Sequence, residues 1–166
     1  MATSAAPLYF PMAKIENSNF LDGGVVANAP DMCAVHEAVK FLDQEIKNIS
    51  VLSIGTTTSK FSLPSSVGRN FGQKHWLENG RLISTVLSSQ QQLVDFMLKH
   101  QLGDRYVRFD EQPSPEQISD LGLDLATENR RQTLLGMADG CYQGLSNNPR
   151  VLEMLKHQPP KPAFYH

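Results

Sequence analysis

Apolar positions along this chain follow two different periods. From Met32 they recur at Val35, Val39, Leu42 and Ile46, in steps of three and four, which places them on one helical face. Asn28-Ala29-Pro30-Asp31 lies just ahead and reads as a helix start. Asn28 or Ala29 suits the N-cap, Pro30 the first turn, and Asp31 the positive end of the dipole. Ile49 to Gly55 is short, β-branched and closed by glycine, as a buried strand would be. A second stripe, Leu82, Ile83, Val86, Leu87, Leu93, Val94, Met97 and Leu98, predicts a helix from Trp76 to Lys99, with Gly103 past its end. Gln90-Gln91-Gln92 interrupts that stripe and leaves open whether it is one helix or two. Tyr106 to Phe109 reads as a last strand. Thr127 to Leu145 reads as a helix with Leu134, Ala138, Cys141 and Leu145 on one face, and Asn148-Pro149 opens a short final helix carrying Val151, Leu152 and Leu155.

The polar punctuation completes this outline. Pro7 and Pro11 make Ala5 to Met12 an extended or looped stretch. Asn19-Phe20-Leu21 reads as a short strand running into the turn Asp22-Gly23-Gly24. Thr56 to Gly72 is a long Thr-, Ser- and Gly-rich loop, and Pro113 and Pro115 break the chain again. Helix followed by strand across a short connection is half of a βαβ unit, so the expectation is an α/β fold. Residues 1–157 form one domain on this reading, and 158–166 a loose proline-rich tail. No internal repeat is visible.

Composition narrows the partners. The 166 residues are enough for one domain with a sizeable core. Charged residues are 19% and hydrophobic ones 40%, which is a globular balance. The 15 basic and 17 acidic side chains give a net charge of -2, without the basic excess of a nucleic-acid binder. Arg105 with Arg108, and Arg130 with Arg131, are only pairs and read as solvated surface. Cys33 and Cys141 read as two buried, reduced thiols of a cytosolic protein. No apolar run approaches the ~18 residues of a span and no signal peptide is visible, so the expectation is a cytoplasmic protein, with peripheral contact to membranes left open.

The strongest chemical feature is Asp22-Gly23-Gly24 between a strand and a helix. A carboxylate just past a strand end sits at the rim where α/β sheets place their sites. Glycines there permit positive φ and close approach of another group. Taken alone, such a tripeptide is more often simply a turn. Other candidates carry less. His36-Glu37-Ala38-Val39-Lys40 begins like a zinc-protease motif, but Lys40 stands where the second histidine belongs. The remaining histidines lack metal-ligand spacing, so no metal and no cofactor are expected. Gly55 to Lys60 falls short of a phosphate loop. Phe71 and Trp76 could meet lipid, although packing is the commoner use of such aromatics.

Three blocks change the weight of Asp22. They are Ala2-Thr3-Ser4-Ala5-Ala6-Pro7-Leu8-Tyr9-Phe10-Pro11, then Phe20-Leu21-Asp22-Gly23-Gly24-Val25-Val26-Ala27-Asn28-Ala29-Pro30, then Leu52-Ser53-Ile54-Gly55-Thr56. In this order and spacing the chain resembles the C-terminal part of the patatin-like phospholipases. The resemblance implies a partial three-layer α/β fold, with a central, mostly parallel sheet flanked by helices and its N-terminal strands missing. It implies hydrolysis of lipid acyl esters by a serine–aspartate dyad without histidine. Asp22 would be the catalytic aspartate, with Gly23 and Gly24 its turn. Membrane lipid or a lipid-like ester would be the substrate.

The sequence departs from that family in two respects. Gly-x-Ser-x-Gly, which would carry the nucleophile, does not occur, and neither does the Gly-rich oxyanion loop. Gly144-Leu145-Ser146-Asn147-Asn148 lacks the closing glycine. The first expectation is therefore part of a lipid acyl hydrolase that carries the aspartate only and works with a missing N-terminal half. The alternative is a non-catalytic module of the same fold that serves binding or homo-oligomerisation. A remoter reading gives Ser53, Ser59 or Ser146 the nucleophile's role, against the ordinary use of such residues as hydrogen-bonding groups.

Overall fold

A computed structural model of the chain describes residues 2–7, 9–57, 71–121 and 126–158. Most of the predicted 56–72 loop, including Ser59 and Lys60, and nearly all of the predicted tail lie outside the described residues.

The architecture is mixed α/β with a small parallel sheet, in keeping with a partial patatin-like fold. A short antiparallel hairpin comes first, β1 (Ala13–Ile15) with β2 (Ser18–Phe20). The sequence reading anticipated β2 alone. Its partner forms because Glu16 takes a left-handed conformation, φ 53°, and reverses the chain. After Asp22 come a single turn, α1 (Gly24–Ala27), and then α2 (Asp31–Lys40).

Helix α2 is shorter than its apolar spacing predicts. Its N-cap position is Pro30, rather than Asn28 or Ala29. It stops at Lys40 because Asp43 adopts φ 49°, which a right-handed helix cannot include. Leu42 and Ile46 are therefore exposed and off the helical face, and Val39 is exposed on it. Val35 and Met32 alone of that predicted stripe face the core.

The predicted strands pair as a parallel sheet. Strand β3 (Val51–Ile54) runs beside β4 (Tyr106–Phe109), from Val51 opposite Tyr106 to Ile54 opposite Phe109. The pairing extends one step further, where the Gly55 N–H donates to the Phe109 carbonyl at 2.7 Å.

Between these strands the predicted Trp76–Lys99 helix is two pieces, α3 (Gln73–Leu77) and α4 (Arg81–Leu102), separated by a 3-10 turn. The break is at Gly80, which has φ 63°, and not at the glutamines. Helix α4 passes through Gln90-Gln91-Gln92 unbroken because each amide finds a partner: the Val25 carbonyl, the Asp110 carboxylate and the Ser88 hydroxyl, respectively. Gly103, at φ 57°, ends it.

Pro115, read from sequence as a break, opens a helix, and Pro149 opens one as expected. Ser114 caps α5 (Pro115–Asp120) in a reciprocal capping box with Gln117. Asn148 caps α7 (Pro149–Leu155) by accepting from the Arg150 N–H, as the Asn-Pro pair predicts. Between them, α6 (Glu128–Leu145) buries Met137, whereas Leu134 and Ala138 of its predicted face are exposed.

The core lies where α2 and α4 meet the sheet. Val35, Leu98, Leu102 and Tyr106 are buried together, with Met32, Ile49, Val51 and Val94 packed against them. Leu98 is fully buried, which stabilises the fold by roughly 1.5–3 kcal/mol.

Candidate functional site

Asp22 stands where two backbone segments cross. Its N–H donates to the Ala5 carbonyl at 3.1 Å, which binds the start of the second sequence block to the first. Its carbonyl accepts from the Val25 N–H and opens the α1 turn. The carboxylate Oδ1 accepts from the Gly24 N–H at 2.6 Å. No donor to Oδ2 is present among the described residues.

The two glycines differ in what they contribute. A Cβ on Gly24 would lie 2.8 Å from Asp22 Oδ1, so the close amide–carboxylate contact excludes a side chain. Gly23 has φ -62° and open space around it. The positive φ that glycine permits is not used here; a right-handed turn leads straight into α1.

The half-buried Asp22 side chain lines a cavity of about 360 Å³. Tyr9, Phe10, Val25, Ile83 and Leu87 supply its apolar wall, and Asn28 a polar edge. Helix α4 holds this wall in place, because Gln90 Nε2 donates to the Val25 carbonyl at 3.1 Å.

The sequence reading missed a charged network that joins α2 to both strands. Arg108 was placed on the solvated surface; instead its side chain is only 14% exposed. It forks onto Asp110 Oδ2 through Nε at 3.1 Å and a terminal nitrogen at 2.8 Å. Its other terminal nitrogen donates to Ser53 Oγ at 2.7 Å and reaches Asp31 at 3.4 Å. Asp31 also accepts from Ser53 Oγ at 2.8 Å and from the Tyr106 hydroxyl at 3.1 Å. Thus Asp31, read from sequence only as a helix-start residue, fastens α2 to both strands. Arg105 is likewise engaged, donating to the Ile46 and Ile49 carbonyls. A signal for this was present, since a charged residue inside the otherwise apolar strand Tyr106–Phe109 calls for a partner.

The remaining candidates resolve simply. Ser53 is 3% exposed and held by Asp31 and Arg108, which makes it a structural hydroxyl. Ser146 sits at the C-terminal end of α6. Phe71 and Trp76 pack edge to face at 5.0 Å, with Arg81 over the Phe71 ring. Cys33 is exposed and Cys141 partly so, not buried as expected. Among the described residues no cluster of histidine, cysteine and carboxylate side chains could hold a metal, and no helix is long and apolar enough to cross a membrane.

Comparison with known proteins gives a consistent set of relatives. A cGAMP-activated phospholipase of Pseudomonas aeruginosa is 35% identical over 170 residues, an alignment that takes in all of this chain and 50% of the relative. A cGAMP-activated phospholipase of Vibrio cholerae is 33% identical over 148 residues, covering 81% of this chain and 42% of that protein. Patatin-like protein 3 of Arabidopsis thaliana is 24% identical over 203 residues, covering 94% and 46%. No family profile matches the chain. No solved structure matches it either. The chain spans about half the length of the curated relatives it matches. Within that span the chain is similar to patatin-like and cGAMP-activated phospholipases.

Proposed function

We propose that this chain supplies the aspartate of a serine–aspartate dyad in a lipid acyl hydrolase, with Asp22 as that aspartate. The serine then comes from a nucleophile-bearing half corresponding to the part of the relatives outside the alignment. The observation that carries this reading is the Asp22 carboxylate in its apolar-walled cavity, with Oδ1 held by Gly24 and Oδ2 left for a further donor. In this geometry the Gly24 amide fixes the plane of the carboxylate. Oδ2 takes the serine proton as the serine oxygen attacks the ester carbonyl, then returns it to the departing alcohol. Tyr9, Phe10, Ile83 and Leu87 offer acyl carbons an apolar surface beside the carboxylate. Gly23 and Gly24 form the turn that presents the carboxylate.

The test uses co-expression with the half of the Pseudomonas aeruginosa relative that this chain does not match. Phospholipid hydrolysis is measured with and without cGAMP, the activator in that relative's name. Asp22→Asn is expected to lower hydrolysis by roughly 100-fold or more. Hydrolysis that survives Asp22→Asn would refute the role given to Asp22. The chain alone is expected to take no adduct from a lipid-like fluorophosphonate, read by intact mass.

A non-catalytic module is the second reading, favoured by the lack of Gly-x-Ser-x-Gly in this sequence. It predicts stable association without hydrolysis in the same co-expression.

A further inference from the structure

Helix α4 is apolar on two faces. One face packs inward through Val94, Leu98 and Leu102. The other carries Leu82, Val86, Leu93, Phe96 and Met97, all exposed, Leu93 to 58% and Phe96 to 70%. At 3.6 residues per turn the two stripes lie roughly 140° apart, and the outer one runs for about 22 Å. A surface helix ordinarily carries polar residues opposite its core face, and a helix apolar all round is ordinarily enclosed. Five large apolar side chains in one row are a docking patch rather than scattered exposure.

The position of the row identifies what covers it. Leu82 and Val86 each directly precede a wall residue of the Asp22 cavity, Ile83 and Leu87. Val25 and Val26 of α1, on the same side through the Gln90 bond, are exposed as well, Val26 to 83%. The row therefore begins at the rim of the Asp22 cavity. A lipid-docking helix would flank such a row with lysine and arginine. Here the polar positions between its ends that are not buried are Ser84, Thr85, Ser89, Gln90, Gln92 and Asp95, and Arg81, at its near end, is paired with Glu78 at 3.5 Å. Lys99, near the far end, is paired with Asp95 at 2.8 Å. A second copy of this chain would bring another aspartate and no nucleophile. The relatives, by contrast, hold about as much protein outside the alignment as within it.

We infer that the outer face of α4, from Leu82 to Met97, is the seat of the nucleophile-bearing half, on the same polypeptide or another. This rests on the function proposed above and adds the surface on which the two halves join.

Phe96→Glu and Leu93→Glu test it, with Leu155→Glu as the control at a comparably exposed leucine on α7. Far-ultraviolet circular dichroism and thermal melting should match wild type, since none of these side chains is in the core. The tagged chain is co-expressed with the unmatched half of the Pseudomonas aeruginosa relative, and capture and phospholipid hydrolysis are both read. Capture reduced roughly tenfold or more by the α4 variants and unchanged by Leu155→Glu is the expected result. Capture without hydrolysis would keep the seat and remove the dyad. Hydrolysis sensitive to Asp22→Asn but indifferent to both α4 variants would keep the dyad and overturn the seat. Failure of wild type to capture that half would overturn it too. So would a dimer of this chain, or binding to neutral phosphatidylcholine vesicles, that Phe96→Glu abolishes.

Discussion

The α-carbon of Gly55 faces the Asp110 carboxylate so closely that a β-carbon there would run into it. Both residues sit just past the ends of paired strands, where the Gly55 amide still bonds to Phe109. The carboxylate cannot easily swing away, because Arg108 and Gln91 hold it. Gly55→Ala should therefore cost about 2 kcal/mol, read as a lowered denaturant midpoint. In an Asp110→Ala background the same substitution should cost clearly less, since the obstacle is gone. Equal costs in both backgrounds would mean that the clash is relieved elsewhere.

Arg108 ties two carboxylates and a serine into one buried cluster. Arg108→Met should destabilise the fold by roughly 3 kcal/mol, because Asp31 and Asp110 lose their shared cation. Arg108→Lys should recover little of this. A single ammonium cannot hold Asp110 with one edge and reach Ser53 and Asp31 with the other. Equilibrium urea unfolding of the three proteins decides it, and a lysine variant as stable as wild type would refute the need for the fork.

Strands β3 and β4 were legible because each is a short β-branched or aromatic run bounded by turn residues. Helix α7 was legible from Asn148-Pro149, a local signal with a local cause. The reach of α2 was not, since Leu42 and Ile46 continue its apolar period past a stop that depends on the backbone of Asp43. The Asn79-Gly80 pair carries a turn signal that the reading of one long helix did not take up. Asp22 stood out by its neighbours, but what holds it did not. The Ala5 carbonyl lies 17 positions earlier, and the Gln90 amide that fixes the adjoining turn lies 65 positions beyond Val25. Single-sequence periodicity reports which way a residue faces and not what it meets there. That is why Arg108 was read as surface and Asp31 only as a partner for the helix dipole.

The two cysteines should react at different rates. Cys33 is exposed on α2. Burial pushes the Cys141 thiol up, and the nearby Glu111 charge adds to this. The thiolate is the reactive form, so Cys141 has less access than Cys33 and a thiol held back from ionising. Iodoacetamide followed by peptide mass mapping should find Cys33 modified first. Faster labelling of Cys141 would mean that α6 opens readily from the sheet.

Tyr106 gives the fold an alkaline limit. Burial raises its hydroxyl, with the Asp31 charge adding to the effect, from 10.0 to about 12. The folded state thus keeps a proton that the unfolded chain releases earlier. Where the folded state binds more protons than the unfolded one, stability falls as pH rises. The contribution is complete below pH 10 and is lost progressively as pH climbs towards 12. Tyr106→Phe removes the titrating group, so its stability should decline less over that interval, although it starts lower for want of the bond to Asp31. Ultraviolet difference titration should show one tyrosinate in wild type that forms late and is missing from the variant. Parallel stability–pH curves for the two proteins would mean that some other group sets the alkaline limit.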